Sequence, residues 1–397
     1  MRGRAVRRSL LAFGTLLCAG LCASACSSAP SASPPRTIAR VSLTSWHRPT
    51  TIRQPIVEAG GFETTRSCVL GPACTEIGWN HRGDTGYLWT ARWQHRGWTE
   101  LPAPPHAVGI GATDQLTLSC ATASWCMATG SAALNNYGVN APTAAVLHDA
   151  TWTEYPVPSP KGSTDFWLSH VDCLSTTWCM ATGEYVASEP HYVDAQFLAS
   201  EVWNGATWRV VRIFSPRTDA HQIDPGFDAG GEHPTANLDQ LACVSTSFCV
   251  VAGSWVGGFI EQWNGTQWTE TPAPGAGLHR EGGAEFSGAA CTSEQFCVAT
   301  GGYPIANGIW SPLVDEWNGS RWTTVPLPAN PHGINHEGGF SMTGVTCGSA
   351  SDCLSLGDVG TSWRGLAMFW NGATWHYVRA GTIENGAVVC VTPRRCT

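Results

Sequence analysis

The stretch AACTSEQFCVATGG, residues 289–302, contains two cysteines separated by five residues and a glycine four positions after the second cysteine. The C-x5-C spacing occurs seven times, in the pairs Cys68/Cys74, Cys120/Cys126, Cys173/Cys179, Cys243/Cys249, Cys291/Cys297, Cys347/Cys353 and Cys390/Cys396. Successive pairs begin 43 to 70 residues apart, and no cysteine after Cys26 falls outside them. A period of this length indicates stacked or circular repeats.

The cysteine pairs are interpreted as disulfides rather than metal ligands. Zinc sites need tighter spacings such as C-x2-C, usually with histidines in register, and the sequence has neither. The residues between the cysteines are rich in Ser and Thr, which favour a turn. Two cysteines that flank a short turn face each other across a hairpin, at the separation that a disulfide requires. Each such small loop stabilises the fold by about 2 kcal/mol on the chain-entropy estimate.

A second motif, W-N-G-x-x-W, follows the cysteine pair. Its copies, strict and then looser, are Trp203–Trp208, Trp263–Trp268, Trp317–Trp322, Trp370–Trp375, Trp93–Trp98 and Leu147–Trp152. Asn-Gly between β-forming residues indicates a hairpin in which both central residues have positive φ. Each unit therefore holds two hairpins, and its four strands, called a to d, make one blade of a β-propeller. Because the tryptophans recur at fixed positions, we expect them to pack between blades rather than bind a ligand.

The sequence thus predicts an all-β, seven-bladed β-propeller with one hairpin disulfide per blade, spanning residues 37–397. The seventh unit, residues 382–397, has no c and d strands of its own. Near the N-terminus, Val41 and Trp46 have the spacing of the two tryptophans in W-N-G-x-x-W. We therefore expect N-terminal strands to complete the last blade, which would remove exposed sheet edges.

The N-terminus has the pattern of an export signal. Residues 1–25 carry four arginines, an apolar run and small residues before Cys26. Ala23-Ser24-Ala25-Cys26 resembles a bacterial lipobox, which predicts lipidation of Cys26, and the Ser/Pro-rich residues 26–36 suit a flexible tether. The alternative is ordinary cleavage and free secretion. Either way the mature chain is expected outside the cell, on the outer face of the membrane or secreted.

The charge of the chain argues against a nucleic-acid partner. Removal of the four signal arginines, with no acidic residue among residues 1–25, changes the net charge from −8 to −12, and Lys161 is the sole lysine. Binding nucleic acid needs a basic surface that neutralises phosphates. No apolar run long enough to span a bilayer follows the signal, so membrane contact is expected through the lipid anchor alone, and the protein is expected to be a monomer.

The whole repeat, C-x5-C-x-A-x-G followed by E-x-W-N-G-x-x-W and a Pro-rich exit, resembles repeats of secreted proteins from actinobacteria and their relatives. That resemblance implies the fold and leaves the activity open. The W-N-G-x-x-W turn also resembles the Asp-box of sialidase-type propellers, with Asn204, Asn264, Asn318 and Asn371 in place of the aspartate. The arginine triad and nucleophilic tyrosine of that family have no counterpart that can be placed here.

Candidate ligand groups concentrate in the d–a loops. Together with the b–c loops, these form one face of the blades, called here the loop face, while the a–b and c–d turns form the opposite turn face. Variable loops on a rigid scaffold commonly carry binding groups. The candidates are Glu58, Asp228, Glu232, His233, His279, Glu281, His336 and Glu337. Four of these acids precede Gly-Gly or Ala-Gly-Gly, so capping of a turn is the simpler explanation, and binding of a cation or sugar is the alternative.

The b–c loops add aromatic and polar candidates, namely Tyr185, Tyr192, Tyr303, Trp310, Trp363 and Arg364. Aromatic faces with polar neighbours suit stacking on sugar rings or gripping a polypeptide. A solvated loop with its aromatic side chains packed onto the blade explains the same pattern.

These observations predict a cell-surface binding module for a glycan or an extracellular protein. The alternative is a glycoside hydrolase or polysaccharide lyase with an acid/base residue among Glu281, Glu337 and Asp228, partnered by His279, His336 or His233. A purely architectural envelope protein is a third hypothesis. The sequence assigns no cofactor and leaves a structural divalent cation open.

Overall fold

The computed structural model describes residues 62–69, 73–82, 85–94, 97–104, 116–133, 140–189, 192–212, 237–254, 257–277, 283–306, 309–328, 340–359, 364–378, 390–392 and 395–396. All of them belong to one unit, His47–Thr397. The predicted signal peptide, lipidation site, tether and N-terminal closing strands lie outside the described residues.

Six four-stranded antiparallel sheets follow one another along the described chain, each made of four consecutive strands. Blades 1 and 2 comprise β1 (Phe62–Cys68), β2 (Cys74–Arg82), β3 (Thr85–Gln94), β4 (Gly97–Leu101), β5 (Thr117–Thr122), β6 (Trp125–Ala133), β7 (Asn140–His148) and β8 (Thr151–Pro156). Blades 3 and 4 comprise β9 (Ser163–Ser175), β10 (Trp178–Glu189), β11 (Tyr192–Trp203), β12 (Trp208–Arg212), β13 (Asn237–Ser245), β14 (Phe248–Ser254), β15 (Gly258–Trp263) and β16 (Trp268–Thr271). Blades 5 and 6 comprise β17 (Glu285–Ser293), β18 (Phe296–Ala306), β19 (Ile309–Trp317), β20 (Trp322–Thr324), β21 (Phe340–Ser349), β22 (Asp352–Val359), β23 (Arg364–Trp370) and β24 (Trp375–Val378).

The a strand of each blade contacts the a strands of its neighbours, which is how blades meet in a propeller. Five apolar clusters fill the spaces between consecutive blades. A 3-10 turn, Pro274–Gly277, follows blade 4. The described chain therefore has six complete blades rather than the seven predicted. A two-stranded hairpin, β25 (Cys390–Thr392) with β26 (Arg395–Cys396), stands where the seventh would begin.

Six of the predicted disulfides are confirmed, and each joins the a and b strands of one blade. They are Cys68–Cys74, Cys120–Cys126, Cys173–Cys179, Cys243–Cys249, Cys291–Cys297 and Cys347–Cys353. The paired cysteines are register partners, with Cα atoms 3.9 to 4.1 Å apart. In the seventh pair, Cys390 and Cys396 are also register partners, but their side chains lie outside the described residues.

The b-strand cysteine is buried more deeply than its position beside an exposed turn suggests. Five of these cysteines have 0% exposure, namely Cys126, Cys179, Cys249, Cys297 and Cys353. The b strand lies between the a and c strands of its blade, and its cysteine is the register partner of the first residue of the W-N-G-x-x-W motif, as Cys249 is of Trp263. These cysteines are therefore inaccessible to a ligand. Their role is confined to the core.

The Ser/Thr-rich a–b turn is explained by local hydrogen bonds. The Ser247 amide, for example, donates to Ser245 Oγ at 3.3 Å, and the two hydroxyls lie 3.2 Å apart. The same amide-to-hydroxyl bond forms in blade 6, from Ser351 to Ser349. A hydroxyl two residues back thus satisfies a turn amide that has no partner in the ladder.

The W-N-G-x-x-W turn differs in detail from the prediction. Only its glycine has positive φ, 95° at Gly265 for example, because the loop has four residues between paired tryptophans rather than two. The asparagine side chain holds this longer loop: Asn264 Oδ1 accepts hydrogen bonds from the amides of Thr266 and Gln267, both at 3.0 Å. The same pair of bonds forms at Asn204, Asn318 and Asn371.

The tryptophans belong to the core, as predicted. Trp203, Trp263, Trp317 and Trp370 of the c strands are buried. Each donates its indole N–H to a carbonyl in the a–b turn of its own blade, at 3.0 to 3.1 Å. Some d-strand tryptophans instead reach the preceding blade, as Trp268 Nε1 does when it donates to Ser200 Oγ at 2.9 Å. One set therefore braces a blade and the other joins two blades.

In blades 3, 4 and 5 the glycine that follows the second cysteine is explained by a β-bulge in the a strand. The bulge brings a backbone carbonyl of the a strand against Gly183, Gly253 and Gly301. A Cβ at Gly301 would lie 1.9 Å from the carbonyl oxygen of Glu285, which no side chain can occupy. Glycine is therefore required by close backbone approach.

We expect Gly301→Ala to destabilise the protein by about 3 kcal/mol, because the obstructing atom is backbone and cannot move aside. Gly344→Ala is the matched control, since a Cβ there meets nothing within 4 Å. Urea unfolding of both variants measures the difference. Equal losses would show that the carbonyl does not set the glycine requirement.

We expect Asn264→Ala to lower the free energy of unfolding by about 1 kcal/mol, because two turn amides lose their acceptor. Asn264→Asp keeps an acceptor oxygen and should retain most of the stability. Thermal unfolding compares the two variants, and an alanine variant as stable as the aspartate variant would contradict this role of the side chain.

Candidate functional site

The turn face is occupied by structural contacts. Its disulfides, asparagine side chains and tryptophan N–H groups close the a–b and c–d turns in successive blades. The loop face differs from blade to blade in the described residues, so the predicted site residues were sought there.

Most of the predicted site residues lie outside the described residues. These are Glu58, Asp228, Glu232, His233, His279, Glu281, His336, Glu337 and Trp363. Tyr192 and Arg364 are the first residues of β11 and β23, but nothing is described of their side chains. The capping and ligand-binding hypotheses for the acid-Gly-Gly loops therefore remain predictions.

The assignment of Tyr185, Tyr303 and Trp310 to b–c loops was wrong. Tyr185 lies inside β10, Tyr303 inside β18 and Trp310 inside β19. The strands run further than predicted because residues beyond the repeated glycine keep pairing, for example Pro304 with Trp310.

The ring of Tyr185 is packed on its own blade. Its centroid lies 5.3 Å from that of Phe197 in a stacked arrangement and 6.3 Å from that of Phe166 in an edge arrangement. Both phenylalanines are buried. These contacts match the alternative interpretation of an aromatic side chain packed onto the blade.

The a-strand bulge places one polar residue at the loop-face end of successive a strands. Four residues before the first cysteine, blades 3 to 6 carry Ser169, Asp239, Ser287 and Thr343. The three hydroxyls each lie 3.4 Å from a b-strand carbonyl beside the bulge. Ser169 Oγ also lies 3.3 Å from Glu184 Oε2, and Ser287 Oγ also contacts the Met342 carbonyl of blade 6. Because a hydroxyl has one proton, it donates to one of these acceptors at a time, and a carbonyl that the bulge displaces from the regular ladder is among them.

Asp239 departs from this pattern. An ionised carboxylate accepts hydrogen bonds only, so it cannot donate to a b-strand carbonyl as the hydroxyls do. Burial raises the pKa of Asp239 from its ordinary 3.8 to about 7, and the nearby charge of Glu285 raises it as well. Glu285 is exposed, but partial desolvation by the neighbouring protein atoms also raises its pKa. Asp239 and Glu285 are thus two carboxylates from adjacent blades whose charges interact unfavourably, so the protonated form of Asp239 is favoured.

Glu184 of blade 3 adjoins this pair and is buried. Its Oε1 accepts a hydrogen bond from the Leu238 amide at 2.8 Å, and its Oε2 accepts one from Ser169 Oγ at 3.3 Å. Burial raises the pKa of Glu184 to about 7, against these hydrogen bonds, which lower it. Glu184 therefore caps the start of the next blade and is less available to a ligand than Asp239 or Glu285.

At the boundary between blades 3 and 4, an ionisable side chain takes the place that hydroxyls have at the two preceding blade boundaries. The residue before the first cysteine accepts a hydrogen bond from the first cysteine amide of the next blade. Ser67 and Ser119 do so with hydroxyls, and Asp172 does so with a carboxylate, at 2.7 Å. Burial raises the pKa of Asp172 to about 6 and lowers that of His170 to about 4, although a hydrogen bond with the Asp239 backbone opposes the latter.

This arrangement can exchange protons and can attract a cationic group at Asp239 and Glu285. Among the described residues, no three His, Cys, Asp or Glu side chains form a group that could hold a metal ion. Asp239 is the last residue of the long d–a loop expected from the sequence, residues 215–239, but it was not among the candidates predicted there. Alignment of the units on their first cysteines would have shown Ser, Asp, Ser and Thr at one position.

No protein-family model matches the chain, and none of the curated proteins matches its sequence. Solved structures with a similar fold include YCF48 from Cyanidioschyzon merolae (13% identity, TM-score 0.44, covering 82% of this chain and 86% of that one). Another is a fucose-specific lectin from Aleuria aurantia (9% identity, TM-score 0.44, covering 82% of this chain and 96% of that one). A third is a GH74 xyloglucanase from Xanthomonas campestris (11% identity, TM-score 0.46, covering 81% of this chain and 47% of that one). At TM-scores of 0.46 or less, these similarities establish neither a family nor an activity.

In the described part of the chain, no helix is both long and apolar enough to cross a membrane.

We expect the substitution Asp239→Ser to have a more favourable effect on the free energy of unfolding at pH 8 than at pH 5. The folded-state pKa of about 7 lies above the ordinary value, so the stability that Asp239 contributes is present at acid pH and is lost as pH rises through 7. One proton changes stability by at most about 1.4 kcal/mol per pH unit. Urea unfolding at both pH values measures the free energy of unfolding of Asp239→Ser relative to the wild type. This difference should be more favourable to the variant at pH 8 than at pH 5 by at least about 1 kcal/mol.

Glu270→Ser is the matched control, because it removes an exposed carboxylate from β16 of the same blade. If the two variants changed the pH dependence of unfolding equally, net charge rather than the bulge position would be responsible.

Proposed function

We propose that the chain is an exported seven-bladed β-propeller, of the type found in secreted actinobacterial proteins, that acts as a binding module. A glycan or an extracellular protein binds to its loop face. The observation that carries the proposal is Asp239, a carboxylate at the one bulge position that blades 3, 5 and 6 fill with a hydroxyl. Unlike Asp172, which keeps the hydrogen bond that serines make in the preceding blades, Asp239 does not take over the hydroxyl contact, and residues that break a local rule in this way are expected at functional sites.

The contrast between the two faces supports this location. On the turn face the repeated side chains bond to their own turns, as Asn264 and Trp263 do. On the loop face, Asp239 has no hydrogen bond from another described side chain, and Glu285 is exposed. Exposed carboxylates with partly desolvated neighbours are suited to a polar or cationic ligand group.

Export and ring closure are parts of the same proposal. Six disulfides support an oxidising, extracytoplasmic compartment. Lipidation of Cys26 would hold the domain at the outer face of the membrane, with the domain itself a monomer. The contact of β25 with β21 supports a seventh blade, because a strands of successive blades meet in the same way. Strands from residues 39–49 would complete that blade.

A glycoside hydrolase is the second candidate, and one observation favours it. A general acid needs a raised pKa beside a second carboxylate, and Asp239 next to Glu285 meets the first requirement. The engagement of Glu184 with a backbone amide favours the binding module instead. A polysaccharide lyase needs no such carboxylate pair and is distinguished by activity on candidate glycans.

The test is a thermal-shift screen of the mature chain, disulfides intact, against soluble glycans, divalent cations and extracellular polypeptides. A ligand should raise the melting temperature, since binding to the native state stabilises it. The shift should be reduced by Glu281→Ala, Glu337→Ala or Asp239→Ser and unaffected by Glu270→Ser.

Glycan cleavage by the wild-type chain that is lost in Asp239→Asn would favour the hydrolase. A shift that persists in every loop-face variant, or no shift with any ligand class, would sink the binding-module proposal and favour an architectural role.

A further inference from the structure

The b–c hairpin of blade 5 carries apolar residues in the described strand ends on either side of Asn307 and Gly308, which lie outside the described residues. Strands β18 and β19 stay paired to their ends, with Pro304 opposite Trp310 and Ala306 opposite Ile309. Between these pairs Ile305 is 47% exposed, and it is the only large apolar side chain that is exposed among the described residues. Tyr303, Ile309 and Trp310 beside it are partly buried. The hairpin therefore presents an apolar end on the loop face.

This hairpin end is held in place by packing. A Cβ at Gly302 would lie 3.1 Å from Trp310 Cε3 and 2.9 Å from Ser341 Cβ, so the indole and blade 6 both lie against the Gly302 backbone. Tyr303 also packs against the apolar cluster between blades 4 and 5. A rigid apolar projection loses little conformational entropy when a partner covers it.

The hairpin is continuous with the carboxylates at the loop face. Glu285 is the register partner of Gly302, which precedes the apolar end by one residue. Glu285 is exposed, and its charge acts on Asp239 in the adjacent blade. Glu285 and Trp310 therefore both lie beside Gly302 on blade 5, and Ile305 follows three residues further along β18.

Resting on the proposed binding function, we propose that this part of the loop face binds a basic amphipathic polypeptide segment. A Lys or Arg side chain of the segment pairs with Glu285, and an adjacent apolar side chain covers Ile305 and Trp310. Charge complementarity selects such a segment, because the mature chain has a net charge of −12 after loss of the four signal arginines from −8.

Two other occupants fit less well. A sugar ring stacks on a flat aromatic face, whereas the most exposed group here is the aliphatic Ile305. An anionic lipid surface would be repelled by Glu285, since membrane-binding segments of this kind carry basic residues instead. Both occupants are outcomes of the test.

The test measures binding of a short synthetic peptide of alternating Lys and Leu to the mature, disulfide-intact chain by fluorescence anisotropy. Matched peptides replace Leu by Ser or Lys by Glu. The Lys-Leu peptide should bind more tightly than either matched peptide. Its affinity should fall as the salt concentration rises. Glu285→Gln and Ile305→Ser should each weaken it about fivefold or more, a loss of roughly 1 kcal/mol. Ile305→Leu and Glu270→Gln are the controls and should retain binding.

The inference is overturned if the Lys-Ser peptide binds as tightly as the Lys-Leu peptide, or if Glu285→Gln and Ile305→Ser leave binding unchanged. Preference for anionic vesicles or a soluble glycan at the same residues would also overturn it. If the Lys-Leu peptide fails while the thermal-shift screen finds another loop-face ligand, only this inference fails. If neither experiment finds a ligand, the proposed function fails with it.

Discussion

A close approach between two backbones determines much of this structure. In blades 3 to 5 a carbonyl of the a strand lies where a Cβ of the b strand would be, which leaves glycine as the only residue that fits. The bulge that causes this contact also frees one residue of the a strand from regular pairing. That residue carries a hydroxyl in blades 3, 5 and 6 and is an aspartate in blade 4. A steric constraint within each blade thus decides where variable chemistry can enter the loop face.

The division between the two faces follows from hydrogen-bond satisfaction. At the turn face, Asn and Ser side chains accept hydrogen bonds from the amides of each tight turn, and Trp indoles donate to its carbonyls, all within the same blade. Substitutions there have a structural cost. At the loop face the connections differ in length, and the side chains that approach it, such as Asp239 and Glu285, interact mainly by charge across blade boundaries.

Much of the fold could be predicted from the sequence because the repeat shows each requirement several times. Cysteine spacing predicted the hairpin disulfides, and the recurring tryptophans predicted the core. The four-residue geometry of the Asn-Gly turn could not be predicted, because the asparagine side chain replaces the positive φ of a two-residue turn. The site was predicted less well. Tyr185 and Trp310 lie in strands that continue past their turn-forming neighbours, and the acid at Asp239 gains its properties from burial and from a glutamate in another blade. Neither effect is visible in local sequence.

Every described disulfide joins cysteines six positions apart within one hairpin, and none of the six bridges two blades. In the described part of the chain, neighbouring blades are joined by apolar packing and by hydrogen bonds such as that from Trp268 to Ser200. A mechanical pull on the chain would therefore separate neighbouring blades before it opened any of the cross-linked a–b hairpins. Extension would proceed in steps of one blade, with each cross-linked hairpin surviving as a unit from which its blade could reassemble when the load is removed.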